Sequence, residues 1–155
     1  MSTYSVTRST VIPAPAKDVF PLVNSFREWP KWSPWEALDL DMKRTYSGAE
    51  SGAGAKYAWS GNRKAGAGNM EITESREPDV IRIRLEFTKP FPGVNPTTFT
   101  FEPEGGGTRV TWSMAGEHKG IGKLFGLFMN LDKMVGSDYE KGLASLASVV
   151  ASRRD

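Results

Sequence analysis

Residues 80–88 read VIRIRLEFT. In an extended chain successive side chains point to opposite faces, so Ile81, Ile83, Leu85 and Phe87 fall on one side and Arg82, Arg84 and Glu86 on the other. A strand with one apolar and one charged face belongs to an antiparallel sheet covered on one side only. From about residue 42 the same period of two recurs. MKRTYSG (42–48), AKYAWSG (55–61), GNMEITESRE (68–77), VIRIRLEFTK (80–89), TTFTFEPEGGG (97–107) and TRVTWSMAGE (108–117) are six strand-like runs punctuated by Gly, Pro, Asn and Asp. Phe99 and Phe101 alternate with Thr98, Thr100 and Glu102. Val110, Trp112 and Met114 alternate with Thr111 and Ser113. Tyr57 with Trp59, and Met70 with Ile72, complete the apolar face.

Upstream, YSVTRSTVI (4–12) is rich in β-branched and aromatic residues and adds a seventh strand. Pro13 and Pro15 stop it. Ala16 to Val23 then reads as a short helix with Val19, Phe20 and Val23 on a shared face and Pro21 distorting its first turns. A second short turn holds NSFREWPKW (24–32). Downstream, the chain is helical from roughly Gly120. One straight helix over 121–151 would span ~45 Å, long against a radius of gyration of ~15 Å for a domain of this size. Gly136 followed by the capping box Ser137-Asp138-Tyr139-Glu140 predicts a break, with helices near 120–134 and 138–152. The second carries Tyr139, Leu143, Leu146 and Val150 on one face and Lys141, Ser145, Ser148 and Ser152 on the other.

A single sheet must bury its apolar face, and the C-terminal helical region is the element long enough to do it. The predicted fold is α+β: a seven-stranded curved antiparallel sheet wrapped round a long C-terminal helix, with two short helices after the first strand. The 155 residues form one domain, 1–155. Hydrophobic residues at 39% and charged residues at 25% fit an ordinary globular chain. The formal charge is +2 with no dense basic block, which argues against nucleic-acid binding. With no cysteine, disulfides, thiolate metal sites and cysteine nucleophiles are excluded. The start MSTYSVTRST lacks a signal pattern and no run approaches the ~18 apolar residues of a membrane span, so a cytoplasmic location without stable membrane insertion is expected.

The element order, together with VIPAPAKDVFPLV (11–23), EWPKWSPWE (28–36), GNRKAGAGNMEI (61–72) and TRVTWSMAG (108–116) before a closing helix, resembles the SRPBCC (START-related, helix-grip) superfamily, and within it the polyketide cyclase/dehydrase-like bacterial members. The resemblance runs from about Tyr4 to Val150. It implies a deep apolar cavity between sheet and C-terminal helix. Relatives of this kind bind lipids, polyketides and other hydrophobic molecules, some act as cyclases, and a related group assists a chaperone ATPase. Fold does not decide among these.

The expected partner is therefore a small hydrophobic molecule, lipid-like, polyketide-like or aromatic, held by a monomer or homodimer with no cofactor. Its candidate lining is Tyr57, Trp59, Met70, Ile72, Ile83, Leu85, Phe87, Phe99, Phe101, Trp112 and Met114 from the strands, with Trp32, Phe128, Tyr139 and Leu143 from the helical segments. Each of the strand residues is a core residue under any reading. One geometric bet underlies this. An interior packed solid, with Trp112, Phe99 and Tyr139 meeting directly, would remove the case for a small molecule.

The alternatives are a cyclase/dehydrase-type enzyme and a chaperone-activator-like module working through its outer face around Arg82 and Arg84. For the enzyme, Arg8, Asp132 and Tyr139 are the nominees. If Val6 and Ile12 face inward, Arg8 does too, and it needs either a carboxylate partner or a bulge or strand edge that reaches water. Asp132 either points into the cavity with a raised pKa or faces solvent at the helix break. Tyr139 offers a hydroxyl. Of five tryptophans, Trp29, Trp32 and Trp35 crowd the proline-broken stretch 29–36, either as a plug at the open end of the core or as a lid over the cavity mouth. The single histidine, His118, reads as a surface loop residue and makes a zinc site implausible. Glu36, Asp39 and Asp41 lack calcium-loop spacing, so no metal is expected. GIGKLFG (120–126) misses the phosphate-loop ending, and Phe125 stands where the dinucleotide fingerprint needs glycine. KLFGLFMN (123–130) reads as core packing over the cavity or as a membrane-surface contact.

Overall fold

The computed structural model describes residues 3–33, 42–62, 66–89, 93–117 and 127–154; at 3–4, 117, 127–134 and 153–154 only the backbone is described. Strand β1 (Thr3–Ile12) leads to helix α1 (Ala16–Val23), a 3₁₀ turn (Phe26–Lys31), strands β2 (Lys43–Gly48), β3 (Ala55–Ser60), β4 (Ala67–Arg76), β5 (Val80–Lys89), β6 (Gly93–Glu104) and β7 (Gly107–Glu117), and helix α2 (Leu127–Arg154). The sheet order is β1-β7-β6-β5-β4-β3-β2, antiparallel throughout. β2 to β7 are a meander, each strand beside its predecessor, and β1 joins from the far end of the sequence. This is the helix-grip architecture, with α2 packed against β1 and α1. Among the described residues no helix is long and apolar enough to cross a membrane.

Period two does what it predicts. Ile81, Ile83, Phe99, Phe101, Val110, Trp112 and Met114 are buried, and Arg82 and Arg84 are exposed. Pairing register aligns the inward residues in rows across the sheet. One row runs Arg8, Trp112, Phe99, Ile81; the next runs Val6, Met114, Thr97, Ile83, Ile72. Further along the strands come Asn95, Leu85, Met70, Tyr57, and then Phe87, Gly68, Trp59. The outer face is laced with ion pairs, Arg82 and Arg76 to Glu74 and Arg84 to Glu86, at 2.8–3.1 Å. All are well exposed, so each contributes at most about 1 kcal/mol.

The predicted break at Gly136 does not occur. α2 runs unbroken through Gly136 and Ser137 for 28 residues, ~42 Å at 1.5 Å per residue. Two physical reasons override the local stop signal. Strands of ten to twelve residues make the sheet itself ~33–40 Å long, so a helix of this length has a surface to lie on. Gly136 is also where Arg8 crosses the helix. A Cβ there would run into the Arg8 guanidinium, so the glycine serves close approach rather than termination. The expected amphipathic face holds: Tyr139, Leu143, Leu146 and Val150 are buried, and Lys141, Ser145, Ser148 and Ser152 lie on the opposite side.

Candidate functional site

The tryptophan stretch begins the site. α1 ends at Val23, leaving its last carbonyls without partners inside the helix. Trp29 Nε1 donates to the Val23 carbonyl at 2.9 Å and Trp32 Nε1 to the Leu22 carbonyl at 2.8 Å. The prolines prevent a regular helix, and the 3₁₀ turn folds both indoles back under α1. There they pack on each other with centroids 4.8 Å apart and meet Phe99 and Trp112 edge-on at 5.5–6.3 Å. Trp29 and Trp32 are thus a buried plug and a helix cap at once. Trp35 lies outside the described residues.

Trp112 is the centre of this packed end. Its ring stacks on Tyr139 with centroids 3.8 Å apart at 8°, and on Phe99 at 4.8 Å and 27°. So Trp112 meets both Phe99 and Tyr139 directly, half of the condition set against a small-molecule site. The other half fails, because the interior is not solid. A hollow of about 180 Å³ remains beside the stack. Its wall takes Tyr57, Trp59, Met70, Leu85, Phe87, Trp112, Met114 and Tyr139 from the sequence-derived set. Ile72, Ile83, Phe99, Phe101 and Leu143 are buried in the core around it and Trp32 lies behind Trp112; none of these six is on the wall. Phe128 and Asp132 fall on α2 outside the described side chains, and His118, Glu36, Asp39 and Asp41 lie outside the described residues altogether.

Five wall residues escape a reading based on apolar alternation: Trp29, Ser33, Met42, Thr97 and Val135. Two had a usable signal. Thr97 has the same parity as Phe99 and Phe101, and Val135 sits one helical turn before Tyr139. The hollow is graded. Trp112, Tyr139 and Thr97 at one end are almost wholly buried, while Trp59, Met70, Leu85 and Phe87 are partly exposed. Trp59 owes its pose to Gly68, directly opposite in register: a Cβ at Gly68 would strike the Glu86 carbonyl and the Trp59 ring. Phe87 meets Trp59 edge-on at 5.8 Å, and Tyr57 stacks on Trp59 at 6.0 Å.

Arg8 does face the interior side of β1, beside Trp112, and it satisfies both conditions posed for it. β1 is an edge strand, and the guanidinium bonds Glu140 at 2.8 Å and the Thr7 carbonyl at 2.8 Å. It clasps α2 to the sheet outside the hollow. No charged side chain is on the described wall. A second depression, about 240 Å³, lies at the β2 end between the 3₁₀ turn and the β2–β3 hairpin. Arg27, Glu50 and Lys56 line it, and Arg27 lies over the Tyr46 ring at 4.7 Å. Among the described residues no three acidic or histidine side chains gather where they could hold a metal. The displaced titrations, at Glu104 and Arg109, are on the β6–β7 hairpin, away from either space.

Comparison with known proteins gives one family and many structures of the same fold. A family model described as "Polyketide cyclase / dehydrase and lipid transport" matches residues 3–151. No curated protein matches the sequence. Among solved structures, a protein from Nitrosospira multiformis superposes with a TM-score of 0.69 at 19% identity, covering 98% of this chain and 100% of that one. The protein TTHA0849 from Thermus thermophilus gives 0.67 at 21%, with 98% and 100% covered. The Aha1 dimer from Colwellia psychrerythraea gives 0.66 at 13%, with 95% and 96% covered. At such identities the likeness is one of fold. The family match spans nearly the whole chain, and the seven-stranded sheet gripping α2 is the architecture that goes with it: the protein belongs to the polyketide cyclase/dehydrase and lipid-transport family of the helix-grip (SRPBCC) superfamily.

Proposed function

We propose that the protein binds a small, uncharged, hydrophobic molecule in the hollow between the sheet and α2. The observation that carries this reading is the hollow itself: about 180 Å³ of space walled mainly by aromatic rings, methionine and aliphatic side chains. An apolar void stays dry, and filling it with apolar surface is favourable. A cavity of ~150 Å³ already accepts benzene, whereas drug-sized ligands occupy ~300–1,000 Å³. The space therefore suits one or two fused rings or a short acyl chain, held by area. A carboxylate would find no cation on the described wall, and burying it unpaired is costly. An extended polyketone does not fit this volume. Arg8 is committed to Glu140 and Asp132 lies outside the described side chains, so of the cyclase nominees Tyr139 is the one on the described wall, while Arg82 and Arg84 on the outer face are paired with Glu74 and Glu86.

The test is a titration of toluene and naphthalene into the purified protein, followed by tryptophan fluorescence and by the unfolding temperature. Trp29, Trp59 and Trp112 are on the wall and report occupancy directly. Saturable one-to-one binding that raises the unfolding temperature is expected. Leu85→Trp, which fills the hollow, abolishes the response while leaving the circular dichroism spectrum intact. Linear, non-saturating changes with every probe would overturn the reading.

A further inference from the structure

Thr97 is the odd residue on the wall. It is 4% exposed, flanked in register by Ile83 and Met114, and stands on the inward side of β6 where an apolar side chain would pack equally well. A hydroxyl buried in such surroundings is unfavourable unless it is hydrogen-bonded. Its bond is to the Asn95 carbonyl, 3.1 Å away and two residues earlier on the same strand. A carbonyl only accepts, so Thr97 Oγ1 is the donor there and its single proton is committed. What remains on that oxygen is lone-pair capacity, two acceptor sites in the hydroxyl inventory. The other two buried polar side chains described have plain structural roles. Thr108 Oγ1 donates to the Ala14 carbonyl at 2.7 Å, tying the sheet to the lead into α1, and Asn95 Nδ2 donates to the Ala115 carbonyl at 3.2 Å across to β7.

Other polar groups on the wall differ from Thr97. The hydroxyls of Ser33, Tyr57 and Tyr139 can take either role, and the indole N–H groups of Trp59 and Trp112 only donate. Trp29 turns its N–H away, onto the Val23 carbonyl. Thr97 is a wall hydroxyl whose polarity the backbone has already fixed.

From this we infer that the molecule bound in the hollow carries a hydrogen-bond donor, a hydroxyl or N–H on an otherwise apolar body, and that Thr97 Oγ1 accepts from it. The inference rests on the binding reading above. It separates hydroxylated or N–H-bearing rings from ethers, ketones and hydrocarbons of the same shape, because a site oxygen left without its donor forfeits the bond without recovering its hydration.

Indole and benzofuran make the test, since they share a bicyclic outline and differ in a ring N–H against a ring oxygen. Calorimetric or fluorescence titration of the full-length protein is expected to give indole the tighter binding by about three- to tenfold, the range of one net neutral hydrogen bond. In Thr97→Val, which keeps the branched shape, the ratio falls to about one while benzofuran affinity is unchanged. Thr97→Ser, retaining the hydroxyl, restores the preference and guards against a packing explanation. Equal affinities in the wild type would overturn the donor inference and leave the binding reading standing. A preference that persists in Thr97→Val would overturn the role of Thr97. Failure of both bicycles to bind would remove the binding reading and the inference with it.

Discussion

The inner face of the sheet has two ends made from the same kinds of residue, yet one is solid and the other hollow. At the solid end the row Arg8, Trp112, Phe99, Ile81 is met by the indoles of Trp29 and Trp32 and by the ring of Tyr139. At the hollow end the rows of Tyr57, Met70 and Leu85, and of Trp59 and Phe87, face a space whose far wall includes Ser33 and Val135. Large apolar residues on a strand thus specify which way the strand faces. Whether they close a core or line a void depends on the size of what the helices bring to them. Interiors pack to crystal-like density unless something prevents it, so a void kept beside a packed cluster of five aromatic side chains is the feature that asks for an occupant.

The contrast breaks most readily at Trp112. Trp112→Ala removes the ring that touches Phe99, Trp29, Trp32 and Tyr139, and is expected to cost about 3–5 kcal/mol of stability in urea unfolding. Gly68→Ala comes next. The added methyl meets the Glu86 carbonyl and the Trp59 ring, so a loss of about 1–3 kcal/mol is expected together with a shift of Trp59 fluorescence, read against a Trp59→Phe control. Leu85→Ala, the same chemistry as a core truncation but beside existing space, should cost less than ~2 kcal/mol, the low end of the leucine range. Equal losses for Trp112→Ala and Leu85→Ala would erase the distinction between the two ends.

Smaller effects sharpen it. Arg8→Met removes the clasp to Glu140, whose side chain is 63% exposed, so at most about 1 kcal/mol is expected. Gly136→Ala would gain up to ~1 kcal/mol from helix propensity alone. Displacement of Arg8 should cancel part of that gain, and the full gain should return in the Arg8→Met background, a coupling that a double-mutant cycle measures. The least effect is at Glu104. Its hydrogen bond from Arg109 holds the carboxyl below the usual carboxylate range, against an opposing desolvation and with the Arg109 charge adding to the lowering. A depressed folded pKa gives a contribution present above the unfolded pKa and lost as pH falls through the folded one. In Arg109→Met the Glu104 carboxyl should titrate at higher pH by NMR, with neither end of the interior altered.

Much of this was legible without coordinates. Alternation located the strands from β3 to β7 and their inward faces, though not their order in the sheet, and the 3.6-residue spacing of Tyr139, Leu143, Leu146 and Val150 identified the face of α2. The failures share a cause. The stop signal at Gly136 is local, whereas the side chain that needs the glycine, Arg8, belongs to the other end of the chain. Thr97 was passed over because an inward position was equated with an apolar one. The choice between plug and lid for Trp29 and Trp32 turned on where the α1 carbonyls end up, which no spacing encodes. The volume of the hollow is a difference between the curvature of seven strands and the bulk of helical side chains, and such differences are not additive along a sequence.

The pairing of β1 with β7 carries a consequence for the order of assembly. The hairpins from β2 to β7 close over short loops, but β1 must wait for the last strand, and α2 settles on β1 only after that. Long-range closure of this sort is the slow part of folding a sheet. A chain emerging from the ribosome can thus build most of its sheet while owning no pocket at all. The space appears when the first and final segments are joined, so the arrival of an occupant would serve as a timestamp for the finished molecule.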